Sequence, residues 1–321
     1  MTLAPAAASA VGRDPRPANT RPLETEYRPR QPLDLRRTVL FQRRGAGDPT
    51  MHADGALIWR ASRTPDGVAT LALRETSPGV IRGAAWGPGA AWALAQLPDL
   101  CGARDDAAGF EPRHPLLVDA HHRHPGLRLS RTDLVFDALA SAIVEQKVTG
   151  VQAFAAWRRI VTWYGERAPG PTPRPLFAPP SIEGWRRVPS WSWHRAGLEP
   201  PQSRAIVRAA SQGEAIVRAT STSLDEADRV LVSLAGVGPW TSAETRIRAF
   251  GDADAVSVGD YHLAHEVGFA LTGHRTDDEG MLHLLEPWRG HRQRVIRLLA
   301  AAGVREPRRG ARLHPEDHRA R

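Results

Sequence analysis

The sequence is poor in the residues that build disulfide and thiolate-metal sites. Among its 321 residues Cys101 is the only cysteine. This excludes a disulfide within the chain, a thiolate-rich zinc site and a four-cysteine iron–sulfur cluster, and it fits a reducing compartment. His121, His122 and His124 lie close together, but they lack the i, i+4 spacing of a helical metal site and no acidic cluster accompanies them. We therefore expect no catalytic metal.

Long apolar runs are also missing. No stretch approaches the roughly 18 consecutive apolar residues of a membrane-spanning helix. The Ala-rich start has no basic segment, and its short apolar run is broken by proline, so it does not match a secretory signal. These absences predict a cytoplasmic protein without a membrane partner.

Lysine is nearly absent, although the chain is basic. Lys147 is the only lysine among 43 Lys and Arg, which outnumber 35 Asp and Glu and give a net charge of +8. Such an excess favours an anionic partner, nucleic acid before a membrane surface, and the planar guanidinium of arginine suits phosphate. Part of the charge lies near the two ends of the chain, so charge alone favours nucleic acid only modestly.

The apolar pattern changes along the chain. Alternation and turn signals such as "RTPDGVA" predict an antiparallel sheet, with "RRTVLFQRR" as one of its strands and "GAAWALAQLPDL" as a helix after it. From about residue 130 the apolar period is helical, with Ser130 or Thr132 as the expected N-cap. We predict an α+β fold class, an N-terminal antiparallel-sheet domain followed by an all-α domain. The predicted limits are a disordered basic tail at 1–32, the sheet domain at 33–115, the helical domain at 116–303 and a second disordered basic tail at 304–321.

Two glycines and a proline interrupt the helical pattern in "LAGVGPWTS", residues 234–242. Gly236 and Gly238 permit positive φ and close approach of another backbone, and Pro239 at the start of a helix sacrifices no hydrogen bond. The amides of such a turn point outward and favour an anion, so a helix-hairpin-helix over about 224–250 is suited to gripping phosphate without reading base sequence. A plain corner between two helices is the alternative use of the same turn.

An aspartate follows in "SVGDYHL", where an apolar stretch ends and a helix is predicted to begin at Tyr261. Asp260 would lie at or near the N-cap. Aspartate is a favoured N-cap residue, so capping alone is one explanation for it.

The hairpin, and an aspartate 22 residues after Gly238, resemble the helix-hairpin-helix DNA glycosylase superfamily, and the DNA-3-methyladenine glycosylase II type in particular. "LLVDAHHRHPGLRLSRTDLVFDALASAIVEQKVT" is similar to the entry into the helical domain of that family, and "EPWRGHRQRVIRLL" to its C-terminal helix. The resemblance covers roughly residues 33–303.

The resemblance implies a base-excision repair enzyme that flips an alkylated purine such as 3-methyladenine out of double-stranded DNA and hydrolyses its N-glycosidic bond. Asp260 is then the catalytic carboxylate, which stabilises positive charge on the sugar. Bifunctional members have a lysine where this chain has Trp240, so a Schiff-base strand cleavage is not expected. A monomer without a cofactor, associated with the nucleoid, is also implied.

Further positions carry over by the same resemblance. The substrate-binding positions are Trp240, Glu244, Tyr261 and Arg297. The DNA-binding positions are Gln146, Lys147, Gly236, Val237, Gly238, Thr241 and Arg289. A structural monovalent cation is implied at the carbonyls of Val232, Leu234 and Val237. Lys147 stands at the usually apolar position that fills the gap left by the flipped base, which indicates a phosphate or orphan-base contact, or else a solvated lysine at a helix end.

The chain departs from the family in its base pocket. Glu244 replaces an expected tyrosine, and Arg297 replaces a tryptophan that would stack on the base, so the pocket is more polar; Glu244 and Arg297 are candidates for an ion pair. Trp185, Trp191 and Trp193 are candidate substitute aromatics. Three other functions stay open: a glycosylase for another damaged base, a non-catalytic protein that binds DNA damage, and a DNA-binding transcription or architectural protein.

Overall fold

The computed structural model describes residues 21–219, 221 and 223–304. Near the N-terminus five antiparallel strands form one sheet in the order β1-β5-β4-β3-β2. These strands are β1 (Leu23–Tyr27), β2 (Met51–Asp54), β3 (Leu57–Thr64), β4 (Gly67–Ser77) and β5 (Val80–Trp86). Tight turns join β2 to β3, β3 to β4 and β4 to β5, as the turn signals predict.

Both faces of the sheet are covered. One face packs on three short helices, α1 (Leu35–Val39), α2 (Ala90–Ala95) and α3 (Leu97–Leu100), around a core that includes Ile58 and Leu73. On the other face Trp59 and Trp86 stack with ring centroids 5.7 Å apart, under the two-stranded ribbon of β6 (Glu166–Arg167) and β7 (Phe177–Ala178). The ribbon ties the sheet to the helical part of the chain.

Two predictions for this region are wrong. Strand β1 lies inside the predicted N-terminal tail, because Leu23–Tyr27 pairs with β5 along its whole length. The segment "RRTVLFQRR" is not a strand: the Asp34 carboxylate accepts the Arg37 N–H at 2.9 Å and begins helix α1, and a 3₁₀ turn at Leu40–Gln42 follows. Residues 1–20 and 305–321, where most of the two predicted tails lie, are outside the described residues.

The rest of the chain is helical. Its helices are α4 (Pro115–Arg123), α5 (Val135–Val144), α6 (Gly150–Tyr164), α7 (Ile182–Arg186), α8 (Ser190–Ala196), α9 (Pro200–Ser211), α10 (Gly213–Ala219), α11 (Leu224–Val232), α12 (Pro239–Phe250), α13 (Leu263–Thr272), α14 (Asp278–Leu285) and α15 (Arg292–Ala302). None of the helices in the described ranges has the length and apolar character needed to cross a membrane.

Helix α5 is buried on every side, and the largest apolar cluster of the protein forms around it. Trp157, Trp185 and Trp193 stack in series within this cluster, with centroid distances of 6.2 and 5.9 Å. Trp185 and Trp193 are therefore core residues, and the side chain of Trp191 is 66% exposed on the surface. Trp185 and Trp193 therefore do not supply substitute aromatics for a base pocket.

The segment after α1 lies against the C-terminal end of α12. Gln42 Nε2 donates to Ser130 Oγ at 2.7 Å and to the Arg248 carbonyl at 3.2 Å. Arg44, almost fully buried, pairs with Glu145 at 3.2 Å just after α5. The sheet part of the chain is thereby brought next to the hairpin helices.

Candidate active site

The glycine turn joins α11 and α12 as a helix-hairpin-helix. Gly236 has φ of 95°, and a Cβ atom there would lie 2.9 Å from Ala205 Cβ, so this position favours glycine. Gly238 is the N-cap residue of α12 in extended conformation, with open space where a side chain would be, and Pro239 begins the helix. The first turn of α12 thus presents backbone amides toward a face that a large anion can approach.

Two of the predicted DNA-binding side chains of the hairpin point inward. Val237 and Thr241 are 6% and 2% exposed, and Val237 belongs to the large apolar cluster. Neither side chain is therefore available to a ligand. This arrangement suits a backbone grip on phosphate, which carries no sequence information.

The loop between α5 and α6 is fastened to the hairpin. Gln146 Nε2 donates to the Gly236 carbonyl at 2.9 Å and to Thr241 Oγ1 at 2.8 Å. The buried Gln202 donates to the carbonyls of Val144 and Gln146 at 3.0 and 3.1 Å. Lys147 follows at the tip with a positive φ of 55° and an exposed side chain. The two glutamines hold Lys147 beside the hairpin.

Asp260 lies between this hairpin and α13. Its Oδ1 accepts the N–H groups of His262 and Leu263 at 2.9 and 3.0 Å, and its Oδ2 accepts the indole N–H of Trp240 at 3.2 Å. The helix begins at Leu263, two residues later than predicted, and the Tyr261 side chain is 74% exposed. Three donors therefore hold the carboxylate in one orientation.

Glu244 lies one helical turn after Trp240 on α12. Ser257 Oγ donates to Glu244 Oε1 at 2.6 Å, and Arg248 Nε lies 3.5 Å from Glu244 Oε2. Burial raises the pKa of Glu244, and the Arg248 guanidinium opposes that increase. The predicted ion pair between Glu244 and Arg297 is wrong, because Glu244 pairs with Arg248 on the same helix and the Arg297 guanidinium lies over Phe41.

Arg297 lies instead over an aromatic ring that the sequence did not reveal. Its guanidinium carbon is 3.9 Å from the ring centroid of Phe41, and that of Arg248 is 4.7 Å from the same centroid. Burial, with the charges of Arg248 and Arg37, lowers the pKa of Arg297 to about 10. The i, i+4 spacing of Glu244 and Arg248 was a usable signal for their pair. No local pattern links Phe41 to α12 or α15.

The remaining predicted positions lie apart from this cluster. The exposed Arg289 pairs with Glu286 at 2.8 Å, next to the buried Trp288. The Val237 N–H donates to the Leu234 carbonyl at 2.9 Å within the turn where a cation is implied, and that cation stays a prediction. The structure thus brings together Trp240, Glu244, Asp260 and Arg297, with Phe41 and Arg248 added.

Comparisons with known proteins identify solved structures that share this architecture. No family model matches the sequence, and no curated protein matches it. Among solved structures, the chain is similar to a 3-methyladenine DNA glycosylase from Archaeoglobus fulgidus, with 17% identity over 87% of this chain and 98% of that one and a TM-score of 0.73. It is also similar to an 8-oxoguanine glycosylase/lyase from Clostridium acetobutylicum, with 13% identity over 88% and 99% of the two chains and a TM-score of 0.66.

The same Clostridium acetobutylicum enzyme, in complex with double-stranded DNA containing cytosine opposite 8-oxoguanine, matches with 11% identity over 86% of this chain and 96% of that one and a TM-score of 0.66. This chain has the fold of the helix-hairpin-helix DNA glycosylases. The predicted α+β class, with an antiparallel sheet before the helices, is confirmed. The likeness covers both parts of the chain, so the sheet belongs to the shared architecture.

Proposed function

We propose that this protein is a monofunctional DNA glycosylase, acting as a monomer without a cofactor on double-stranded DNA that contains damaged bases. The observation that carries the proposal is Asp260, held by Trp240 and by two helix amides beside a hairpin that offers backbone amides. Hydrolysis of a flipped nucleotide requires that the protein hold the duplex through its phosphates and that it fix a carboxylate near the bound strand. The hairpin and Asp260 meet these two requirements.

The proposed reaction follows from the position of the carboxylate. As the C1′–N bond breaks, the base leaves with the electron pair and positive charge develops on the sugar, where the Asp260 carboxylate stabilises it. Water then adds to C1′ and gives its proton to Asp260. The products are a free base and an abasic sugar in an intact strand.

Strand cleavage is not part of this proposal. Trp240 occupies the position just after the hairpin, and its indole N–H is engaged by Asp260. The only lysine, Lys147, lies in the loop beside the hairpin. Without an amine next to Asp260, no Schiff base with C1′ forms there, and the abasic strand stays uncut.

Alkylated purines such as 3-methyladenine are the substrate class we propose first. A purine alkylated at N3 or N7 carries positive charge, so it leaves without protonation by a strong general acid. This suits a site in which the proposed catalytic group is the Asp260 carboxylate. The Archaeoglobus fulgidus protein of the same fold is named for 3-methyladenine. A neutral oxidised purine is the second candidate, because Arg248 and Arg297 over Phe41 place positive charge at the pocket.

The test is base release from DNA treated with a methylating agent and, separately, from a duplex with one 8-oxoguanine. Released bases are identified by mass, and the product strand is examined before and after alkali. We expect a free damaged base with a strand that breaks only after alkali; Asp260→Asn serves as the control for contaminating enzymes. Strand breaks without alkali would contradict the monofunctional reaction, and no release from any substrate would contradict the proposed activity.

A further inference from the structure

The carboxyl group of Glu244 faces the same site as Asp260. Trp240, one helical turn away on α12, donates to Asp260. Ser257, which donates its hydroxyl to Glu244, accepts the Asp260 N–H at its carbonyl at 3.2 Å. The two carboxyl groups are therefore linked through Trp240 and Ser257, which puts Glu244 next to the group proposed to face the sugar.

The carboxylate of Glu244 retains acceptor capacity. Each carboxylate oxygen has about two lone-pair sites, and the structure engages Oε1 with Ser257 and Oε2 with Arg248. The side chain is 18% exposed, so part of it is accessible to a ligand. Ser257 and Arg248 hold the group in a fixed orientation, ready to accept two parallel donors.

A guanine base offers such a pair of donors. Its Watson–Crick edge presents N1–H and the 2-amino group side by side, whereas adenine presents a lone pair at N1. The neighbouring arginines add a second match, because a guanidinium donates to the O6 carbonyl of guanine but not to the 6-amino group of adenine. Arg297 Nε, buried beside Phe41, has no hydrogen-bond partner within the described part of the chain.

We propose that Glu244 is the specificity-determining residue of this site and that it selects damaged guanines by accepting N1–H and the 2-amino group of the flipped base. The proposal rests on the glycosylase function proposed above and, within the damaged purines considered there, favours guanine lesions over 3-methyladenine. 7-Methylguanine and 8-oxoguanine both keep this edge, whereas O6-alkylguanine lacks N1–H, so the selection acts on guanine lesions that leave N1, the 2-amino group and O6 unmodified.

Glu244→Gln tests the proposal because glutamine offers one acceptor and one donor, which match adenine rather than guanine. Release is measured for two lesion pairs: 7-methylguanine against 3-methyladenine, and 8-oxoguanine against 8-oxoadenine. We expect the guanine-to-adenine rate ratio to fall about tenfold or more in Glu244→Gln, as for the loss of one good bidentate pair. A residue that only supports the fold would lower both rates of a pair and leave their ratio unchanged.

Asp228→Asn is the matched control. Asp228 also accepts a serine hydroxyl, from Ser242 at 2.5 Å, and also pairs with an arginine of α12, Arg246 at 3.3 Å. It contacts neither Asp260 nor Phe41 in the described structure, so this variant is expected to keep the wild-type ratio. An unchanged ratio in Glu244→Gln, or an equal change in Asp228→Asn, would overturn the proposal.

If Glu244→Gln does not fold, the proposal is tested on the wild-type protein with a changed substrate. The hypoxanthine counterpart of whichever guanine lesion is released lacks only the 2-amino group, and we expect the wild type to release it about tenfold more slowly. Equal release would overturn the role of Glu244. If the wild type releases none of these bases, the glycosylase function itself is contradicted, a result distinct from release without guanine preference.

Discussion

At the scale of single residues, Asp260 combines two tasks that the sequence could not separate. Its Oδ1 accepts the N–H groups of His262, the N-cap residue of α13, and of Leu263, the first residue of the helix, while its Oδ2 accepts the indole N–H of Trp240. The two amide bonds explain why the carboxylate is rigid, and the second oxygen is the one we propose for the chemistry. Asp277 provides the comparison, since it caps α14 through Gly280 at 2.9 Å and has no part in the site.

Asp260→Asn is expected to lower the rate of base release by at least about a hundredfold, because a neutral amide does not stabilise positive charge on the sugar. Affinity for undamaged duplex should stay close to that of the wild type, as measured by fluorescence anisotropy. Asp277→Asn should retain the wild-type release rate. Wild-type turnover by Asp260→Asn would remove Asp260 from the mechanism.

At the scale of elements, the two glycines of the hairpin have different reasons to be glycine. Gly236 needs its positive φ and its lack of a side chain, because Ala205 lies directly against it. Gly238 has an ordinary extended backbone, and a Cβ atom added to it would meet nothing within 4 Å. The first glycine therefore serves the fold, and the second leaves the surface open for an approaching backbone.

Gly236→Ala is expected to reduce the free energy of unfolding by about 1–2 kcal/mol, since it adds a left-handed penalty and a close contact. Gly238→Leu is expected to lower the thermal midpoint slightly, because leucine is a poorer N-cap residue than glycine, and to weaken binding to damaged and undamaged duplex alike. Thermal unfolding and anisotropy titrations measure the two effects. Loss of affinity for damaged duplex only, in Gly238→Leu, would contradict the phosphate grip.

At the scale of the whole molecule, a polar cavity of about 40 Å³ lies where the sheet meets the helices. Asp137 of α5 and Arg60 of β3 both line it, with Arg44 beside them. Burial raises the pKa of Asp137 to about 7 and lowers that of Arg60 to about 10, although the charges of Arg60, Arg63 and Arg44 favour an ionised Asp137. The junction therefore contains a carboxyl group that titrates near neutral pH.

This titration gives the protein a defined pH dependence. Between the ordinary value of 3.8 and about 7 the folded protein holds the Asp137 proton more tightly than the unfolded chain, so stability falls as pH rises through this window. We expect the stability of Asp137→Asn to vary less between pH 5 and pH 8, by on the order of 1–3 kcal/mol, since the cavity leaves Asp137 partly accessible. Urea unfolding at several pH values measures the difference, and parallel profiles would contradict the raised pKa.

Features that arise from interactions within a few residues of one another could be predicted from the sequence. The hairpin follows from Gly236 and Pro239, because backbone freedom and a missing N–H act locally, and the position of Asp260 before a helix follows from its capping chemistry. The change from sheet to helices also follows from periodicity alone, because each period places apolar residues on one face. The wrong predictions concern two short segments. Asp34 caps a helix where a strand was predicted, and β1 pairs with β5 where a disordered tail was predicted.

The residues that meet in the site are set by long-range packing. Phe41 lies against Arg248 and Arg297, which are more than 200 positions away in the sequence, and Trp185 and Trp193 lie in the core rather than near Asp260. Such contacts depend on how helices and sheet pack, which no local pattern encodes. For the same reason the sequence could name Glu244 as a departure from its family, but its partners Ser257 and Arg248 and its link to Asp260 follow from packing.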